Sequence, residues 1–196
     1  MIVFGGSFNP PTLAHYRLAQ HVLNHSGEGP IVWIPVGNHY AKQGLIDCRH
    51  RVQMCREMLQ GEEHMSVSEM ECNDTLPMGS YHTLLAIQAN HPKEEVSFLI
   101  GADHLPGLPN WIEAETLLSK FHIWVVPRPG YTLEPHLKDQ TFFERHASHI
   151  HYITDAPEMD LSASEIRRQL ASGKVLSTHI HPEVLKYILQ NRLYGV

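Results

Sequence analysis

The chain has 196 residues, of which 42% are hydrophobic and 18% charged, and its formal net charge is −6 when histidine is neutral. This size suits one full hydrophobic core, so we expect a single domain over residues 1–196. The acidic net charge argues against a broad nucleic-acid-binding surface. No apolar run reaches the roughly 18 residues of a membrane span. We therefore expect neither nucleic acid nor a membrane as a partner. No basic leader precedes an apolar segment, which predicts no signal peptide.

Short apolar runs alternate along the chain with segments of helical spacing. The apolar runs predict strands at 1–4, 31–36, 65–70, 96–100, 121–126 and 151–154. The helical spacing predicts helices at 13–25, 48–60, 80–91, 113–119, 162–171 and 182–191. Continuous apolar strands between helices are typical of a parallel sheet covered on both faces. The predicted fold class is therefore α/β, a doubly wound parallel sheet with C-terminal helices. The proline- and glycine-containing region 127–137 is predicted to be an inserted or mobile loop.

The first predicted strand is followed by a glycine-rich turn and then by a helix. Gly5 and Gly6 let a ligand approach the backbone closely, and the N–H groups and dipole of a helix N-terminus favour phosphate. Thr12 can cap this helix, and His15, three residues on, adds a potential cation at the same end. A simple turn and a solvated histidine are the alternatives, since the spacing matches neither the dinucleotide-binding template nor the P-loop.

A second helix start, at 162–167, carries groups of the same kind. Ser162 and Glu165 have the spacing of a capping box, which is the purely structural interpretation. Ser164 and Arg167 should face the same way, and they offer a hydroxyl and a guanidinium to phosphate oxygens. Two such helix starts predict a site for a triphosphate together with a second phosphorylated substrate.

Further candidate groups follow the predicted strands. Gly101 and Asp103 follow one strand and Arg128 follows another, so they should share the sheet edge at which a doubly wound fold binds ligands. Asp103 could accept hydrogen bonds from a ribose, help to hold Mg²⁺, or only stabilise a turn. Trp111 could stack on a flat ring, although most tryptophans are simply buried. Lys42 lies in a predicted polar loop, where a lysine is usually only solvated, so by itself it is weak evidence for a binding site.

These groups favour phosphate chemistry over covalent catalysis by a side chain. The sequence has no G-x-S-x-G motif and no cysteine with a recognisable base partner. This absence matters less if the attacking group is a phosphate monoester, because that group is already ionised at neutral pH. Such a reaction needs alignment, Mg²⁺ and cations that stabilise charge on the transferred phosphorus and on the leaving group.

The motifs at the two ends of the chain resemble known signatures. The stretch 5–15, GGSFNPPTLAH, resembles the first signature of the nucleotidylyltransferase superfamily, which usually ends in His-x-Gly-His. The stretch 162–167, SASEIR, resembles the second signature of the same superfamily. Between them, LIGAD at 99–103, PNW at 109–111 and RPGY at 128–131 resemble the bacterial nicotinate-mononucleotide adenylyltransferases. Ile34-Pro35 with Lys42, and then Arg51, also fit that pattern, so the resemblance covers nearly the whole length.

The resemblance implies a Rossmann-like nucleotidylyltransferase fold and adenylyl transfer in NAD biosynthesis, with Mg²⁺ required. ATP and nicotinate mononucleotide would give nicotinate adenine dinucleotide (deamido-NAD) and pyrophosphate. The residues that would take part in catalysis are His15, Lys42 and Arg167. Those that would bind ATP are Gly5, Gly6, Ser7, Phe8, Thr12, His15, Gly101, Asp103, Ser162, Ser164 and Arg167. Those that would bind the mononucleotide are Asn9, Lys42, Ser80, Tyr81, His82, Trp111 and Arg128.

Departures from the family pattern leave alternatives open. Thr12 stands where the first histidine of His-x-Gly-His is usual, as in eukaryotic members, and Ala14 replaces its glycine. His82 stands where the family's Ser-Tyr-Thr has threonine, in a loop that helps the family to recognise the nicotinate carboxylate. Nicotinamide mononucleotide is therefore an alternative acceptor. Pantetheine-phosphate adenylyltransferase, a cytidylyltransferase and a catalytically silent nucleotide-binding sensor are further alternatives, and a homo-oligomer is left open.

Cysteine and histidine usage predicts neither a disulfide framework nor a metal site. Cys48, Cys55 and Cys72 are odd in number and match no zinc spacing, which favours free thiols in a reducing compartment, and so the cytoplasm. The chain has 16 histidines, with His-x-His pairs at 149–151 and 179–181. These pairs lack the carboxylate or cysteine neighbours of a dedicated site, so a histidine-rich surface is predicted and no metal ligand is assigned.

Overall fold

Strands and helices alternate along the chain. The computed structural model describes residues 1–40, 42–73, 79–131, 140–157, 162–174 and 178–196. The strands are β1 (Ile2–Gly6), β2 (Ile31–Pro35), β3 (Met65–Val67), β4 (Ser97–Gly101), β5 (His122–Val126) and β6 (Ile150–Tyr152). The helices are α1 (Leu13–Ser26), α2 (Cys48–Met58), α3 (Ser80–Asn90), α4 (Ala114–Lys120), α5 (Gln140–Arg145), α6 (Ala163–Ala171) and α7 (Pro182–Gln190).

The strands form one six-stranded, all-parallel sheet in the order β3-β2-β1-β4-β5-β6. The chain moves outward from β1 to β3 and then returns to the other side of β1 with β4. The direction of winding therefore reverses between β1 and β4, which confirms the predicted doubly wound α/β fold. In such a sheet, ligands bind in the crevice beyond the carboxyl ends of the two strands at the reversal.

The core lies on both faces of this sheet. Ile2 and Phe4 of β1 belong to one buried cluster, together with Leu18 of α1. Val3, which lies between them in sequence, belongs to the other cluster, together with Leu84 of α3. Successive side chains of a strand point to opposite faces, so a strand covered on both faces must be apolar throughout. This explains why the strands could be recognised as continuous apolar runs.

Some local elements differ from the prediction. A 3₁₀ helix at Ala102–Asn110 follows β4, and its Pro106 and Pro109 interrupt the spacing from which helices are predicted. The helix α5 was also not predicted. The strand predicted at 65–70 is limited to the three residues of β3, and a 3₁₀ helix follows it.

The predicted loop at 127–137 is described only over its first part. There, the Tyr131 N–H donates to the Arg128 carbonyl at 3.0 Å and closes a tight turn. Residues 132–137 lie outside the described residues. Among the residues that the structure describes, no helix is long and apolar enough to cross a membrane.

The prediction of three free thiols is wrong for two of the cysteines. Cys48 and Cys72 form a disulfide, with their Cα atoms 5.6 Å apart, and Cys55 is free and buried. The parallel pairing of β2 with β3 brings the start of α2 beside the segment that follows β3. A separation of 24 residues along the chain gives no sequence signal for that proximity. The cysteine argument for a reducing compartment therefore no longer holds.

Candidate active site

The turn between β1 and α1 has a conformation that its glycines permit. A Cβ atom on Gly6 would lie 3.0 Å from the Phe8 ring, closer than side chains ordinarily pack. Glycine at this position therefore lets the buried Phe8 ring fold back beneath the turn. Phe8 itself has a φ of +40°, which non-glycine residues seldom adopt, so its packing holds the turn in this shape.

Thr12 and His15 form a reciprocal cap at the start of α1. The Thr12 hydroxyl accepts a hydrogen bond from the His15 backbone N–H at 3.3 Å, and the Thr12 backbone N–H donates to His15 Nδ1 at 3.1 Å. His15 Nδ1 also lies 2.7 Å from the Thr12 hydroxyl oxygen. A backbone N–H can only donate, so we assign Nδ1 as the unprotonated acceptor of both Thr12 groups. A neutral imidazole then carries its proton on Nε2. The assigned tautomer of His15 can donate a hydrogen bond through Nε2–H.

The environment of the His15 ring keeps it neutral. The ring packs against Phe8 with 5.3 Å between centroids and against Phe4 with 6.3 Å. Burial, followed by the charges of Arg128 and Lys42, lowers the pKa of His15 to about 3. A protonated ring would lose solvation and face two cations. We therefore expect His15 to be a neutral donor at pH 7 in the free protein, whereas the sequence pattern also allowed a cation.

Cationic side chains gather around the same turn. Lys42 Nζ donates to the Ser7 hydroxyl at 3.1 Å, which places the lysine at the turn after β1. Burial lowers the pKa of Lys42, Arg167 and Arg128 lower it further, and Asp103 acts in the opposite direction. These groups are thus close enough to influence one another. A concentration of positive charge beside a helix N-terminus is suited to binding phosphates.

Asp103 and Arg128 form an ion pair at the carboxyl ends of β4 and β5. Asp103 Oδ1 lies 3.3 Å from Arg128 Nε, and the two side chains are 35% and 24% exposed. Gly101 makes this pairing possible, because a Cβ atom there would come within 2.5 Å of Arg128 Nε and closer still to Asp103 Oδ1. The strand order thus brings these residues together, as the sequence predicted.

Asn9 joins the turn to three other segments. Arg167 Nη1 donates to the Asn9 carbonyl at 2.7 Å, while Asn9 Nδ2 donates to the Gly44 carbonyl at 2.8 Å. The Tyr194 hydroxyl donates to Asn9 Oδ1, also at 2.8 Å, and Asn9 is only 2% exposed. The sequence predicts Asn9 as a mononucleotide contact, whereas its side chain is occupied by protein groups. In the structure it positions the surrounding segments.

Arg51 is a second positioning residue, and it is completely buried. Its guanidinium donates to three carbonyls, at 3.0, 2.6 and 2.9 Å, which belong to Ser7, Val36 and Ile46. These carbonyls lie in the turn after β1, in the segment after β2 and in the loop before α2. Arg51 therefore holds in place both the turn and the loop that carries Lys42. Only the family resemblance pointed to Arg51, and nothing in the sequence pointed to Tyr194.

The start of α6 presents hydroxyl groups near Arg167. The Ser162 hydroxyl accepts from the Glu165 N–H at 3.1 Å and caps the helix. The Glu165 side chain pairs with Arg168 instead of completing the predicted capping box. Ser164 is exposed, and its hydroxyl accepts from Arg167 Nη2 at 3.1 Å. The second predicted phosphate-binding motif is therefore joined to the first through Arg167.

A further group of predicted contacts lies at the start of α3. Ser80, Tyr81 and His82 form the first turn of this helix and are partly buried. A Cβ atom on Gly79 would lie 3.2 Å from Ile112, so this helix start packs beside the segment that carries Trp111. Trp111 packs edge-on against Phe98, with 6.2 Å between ring centroids, and remains partly exposed.

The fold is that of a nucleotidyltransferase, a doubly wound sheet, and hydrogen-bond donors and cationic side chains lie at the reversal between β1 and β4, an arrangement suited to phosphates. The family model described as "Cytidylyltransferase-like" matches residues 3–169, so the chain belongs to that family. The "Probable nicotinate-nucleotide adenylyltransferase" of Acholeplasma laidlawii is 31% identical over 195 residues, which cover 99% of this chain and 97% of that protein. Within the family, the chain is thus a member of the nicotinate-nucleotide adenylyltransferases.

Another relative and a solved structure are similar to this chain over nearly its whole length. The "Nicotinate-nucleotide adenylyltransferase" of Bacillus subtilis is 28% identical, over 98% of this chain and 96% of that protein. The solved structure of "Plasmodium falciparum nicotinic acid mononucleotide adenylyltransferase complexed with NaAD" aligns with a TM-score of 0.78 and 20% identity, over 98% of this chain and 96% of that one. At this identity, the structural match shows the fold alone.

Proposed function

We propose that the protein transfers AMP from ATP to nicotinate mononucleotide, giving nicotinate adenine dinucleotide and pyrophosphate. The names of the relatives that match nearly the whole chain support this reaction. The Plasmodium falciparum protein of the same fold, which was solved in complex with NaAD, supports the same product. The observation that carries the proposal is the position of His15, whose Nδ1 contacts Thr12 at the start of α1 while the charges of Arg128 and Lys42 act on its ring.

The geometry of His15 suits a reaction that needs no general base. A phosphate oxygen of the mononucleotide attacks the α-phosphorus of ATP, and the bond from that phosphorus to the β-phosphate oxygen breaks. The electron pair of the broken bond leaves with pyrophosphate. The attacking phosphate is already ionised, so no side chain has to remove a proton. We assign to His15 a hydrogen bond from Nε2 to an α-phosphate oxygen, where charge develops.

The cations assist by alignment and charge stabilisation. Lys42 and Arg167 are assigned to the phosphates of ATP, because both are anchored at the turn after β1. The exposed hydroxyls at the start of α6 and the glycine turn supply further donors. Asp103 is assigned to the ribose of ATP. Arg128, Trp111 and the first turn of α3 are assigned to the mononucleotide.

Mg²⁺ is expected to bind together with ATP. Asp103 is a carboxylate beside these cations, and it is already paired with Arg128, so the described residues of the crevice offer few oxygen ligands. Mg²⁺ keeps several waters and commonly binds through one or two carboxylates plus substrate phosphates, which fits this donor set. When bound, it would neutralise charge on the departing pyrophosphate.

A panel of acceptors tests the proposed reaction. The purified protein is incubated with ATP and Mg²⁺ and with nicotinate mononucleotide, nicotinamide mononucleotide or phosphopantetheine, and products are separated by chromatography while pyrophosphate is measured. We expect the highest kcat/KM with nicotinate mononucleotide. Product from phosphopantetheine alone would contradict the assignment. ATP binding without turnover of any acceptor would favour a nucleotide sensor.

Besides the site residues and Mg²⁺, four properties stay predictions. They are a single domain over residues 1–196, a cytoplasmic location, the absence of nucleic-acid and membrane partners, and the open alternative of a homo-oligomer. Sedimentation of the purified protein would measure the oligomeric state.

A further inference from the structure

Two histidines and one aspartate that are not assigned to the proposed reaction lie close together. His21 and His25 are four residues apart on α1, so they lie on the same face of that helix. Asp155 follows β6. Its Oδ1 lies 3.2 Å from His21 Nε2 and 3.7 Å from His25 Nδ1, and the three ligand atoms all lie within 4.8 Å of one another.

We propose that His21, His25 and Asp155 form a binding site for a divalent transition metal ion of the zinc class. In a tetrahedral zinc site with bonds of about 2.0–2.1 Å, neighbouring ligand atoms are about 3.4 Å apart. The two distances to Asp155 Oδ1 are close to this separation. His21 Nε2, His25 Nδ1 and an Asp155 oxygen therefore supply three ligands with only small side-chain movements. Water supplies the fourth.

The ligand set indicates the class of metal. Two imidazoles with one carboxylate favour Zn²⁺ and its transition-metal neighbours, whereas Mg²⁺ and Ca²⁺ prefer oxygen ligands. The exposed fractions of the side chains are 28% for His21, 44% for His25 and 66% for Asp155. The ion can therefore enter from solvent, and the water ligand has room to bind.

The neighbouring histidines make a less suitable site. His122 Nδ1 lies 2.8 Å from His151 Nε2, and the His149 ring stacks on His122 with 4.9 Å between centroids. The nearby carboxylate Glu28 instead accepts a hydrogen bond from Trp124 Nε1 at 3.3 Å. The metal is therefore assigned to the group that includes its own carboxylate.

A metal at this site would join two elements that also serve the crevice. The N-terminus of α1 carries Thr12 and His15, and the segment with Asp155 leads along the chain to α6, which carries Arg167. Bound metal would hold α1 to that segment and should therefore stabilise the fold. The expected effect of the ion is on stability, and its binding does not depend on the proposed reaction. This departs from the sequence prediction, which considered His-x-His pairs and overlooked the helical i, i+4 pair.

Metal binding by single variants tests the proposal. Untagged protein is treated with EDTA, dialysed, and titrated with Zn²⁺ in competition with a chromophoric chelator, and Co²⁺ is used separately to record visible absorption. We expect one Zn²⁺ per chain and a tetrahedral Co²⁺ spectrum. His25→Gln and Asp155→Asn should each weaken binding about 100-fold or more, since even residues that only support metal ligands are typically worth 10–100-fold. Zn²⁺ should raise the Tm of the wild type but not of these two variants.

Two matched variants serve as controls. His64 is exposed and distant in sequence from the site, so His64→Gln should bind Zn²⁺ as the wild type does. His149→Gln should do the same. Because the mutated ligands are partly exposed, circular dichroism should show that all variants fold. Equal binding by wild type, His25→Gln and Asp155→Asn would overturn the proposal, as would a loss confined to His149→Gln or no saturable binding by the wild type.

Discussion

Replacing Arg51 with methionine should weaken the framework of the crevice more than any exposed substitution does. The guanidinium is fully buried and donates to three carbonyls from separate segments. Methionine keeps most of the volume but leaves those carbonyls without this donor. An unsatisfied buried acceptor costs about 1–3 kcal/mol. Leaving three acceptors unsatisfied destabilises the variant, while removing the buried charge also removes the cost of its desolvation, which offsets part of this effect. The free energy of unfolding should therefore fall by about 3–5 kcal/mol.

Urea unfolding followed by circular dichroism measures this loss. With a typical m value of about 2 kcal/mol/M, the midpoint should fall by roughly 2 M. Arg51→Lys keeps the charge but lacks the planar fork, so its midpoint should lie between those of the wild type and of Arg51→Met. The control is Arg56→Met, on the same helix. Arg56 is 47% exposed in its side chain and pairs with Glu69 at 3.0 Å, so its loss should cost less than about 1 kcal/mol.

The comparison can also refute the reasoning. If Arg51→Met unfolds within about 1 kcal/mol of the wild type, then the three carbonyls find other partners or water. The claim that Arg51 holds the turn and the lysine loop would then be wrong. An equal loss for Arg51→Met and Arg56→Met would contradict it as well.

Three other expectations concern the crevice itself. The pKa of His15 is about 6.5 in the unfolded chain and about 3 in the folded protein, so the unfolded state binds a proton at higher pH than the folded state does. The free energy of unfolding should therefore decrease as the pH is lowered from 6.5 to 3. Urea midpoints from pH 7 to 5 should fall more steeply for the wild type than for His15→Gln, and parallel slopes would contradict this. Gly101→Ala should push Asp103 from Arg128 and raise the KM for ATP with little loss of stability; an unchanged KM would argue against a substrate role for this pair. His82→Thr should change the ratio of kcat/KM for nicotinate and nicotinamide mononucleotides, and an unaltered ratio would remove His82 from acceptor selection.

The sheet could be predicted from the sequence because its strands are buried on both faces. A run such as 31–36 is apolar at every position, and that pattern depends only on local residues. The order of the strands then placed the turn after β1 beside Asp103 and Arg128. The 3₁₀ helix at Ala102–Asn110 escaped prediction because its prolines interrupt any regular period.

Contacts between distant segments could not be predicted in this way. The disulfide between Cys48 and Cys72, the carbonyls held by Arg51 and the contact of Tyr194 with Asn9 depend on how the finished sheet brings segments together. The motif did identify His15 as a phosphate-binding candidate. Its neutral state did not follow from the motif, because it depends on the Thr12 backbone N–H, on burial and on two cations from other parts of the chain.

The turnover of His15→Ala on ATP and nicotinate mononucleotide tests the central claim most directly. His15 is assigned as a neutral Nε2–H donor to the α-phosphate, and removing one donor of developing charge commonly lowers kcat about 10²–10³-fold. We expect that loss, with a native circular dichroism spectrum and with binding of an ATP analogue changed far less than kcat. A kcat equal to that of the wild type would contradict the account.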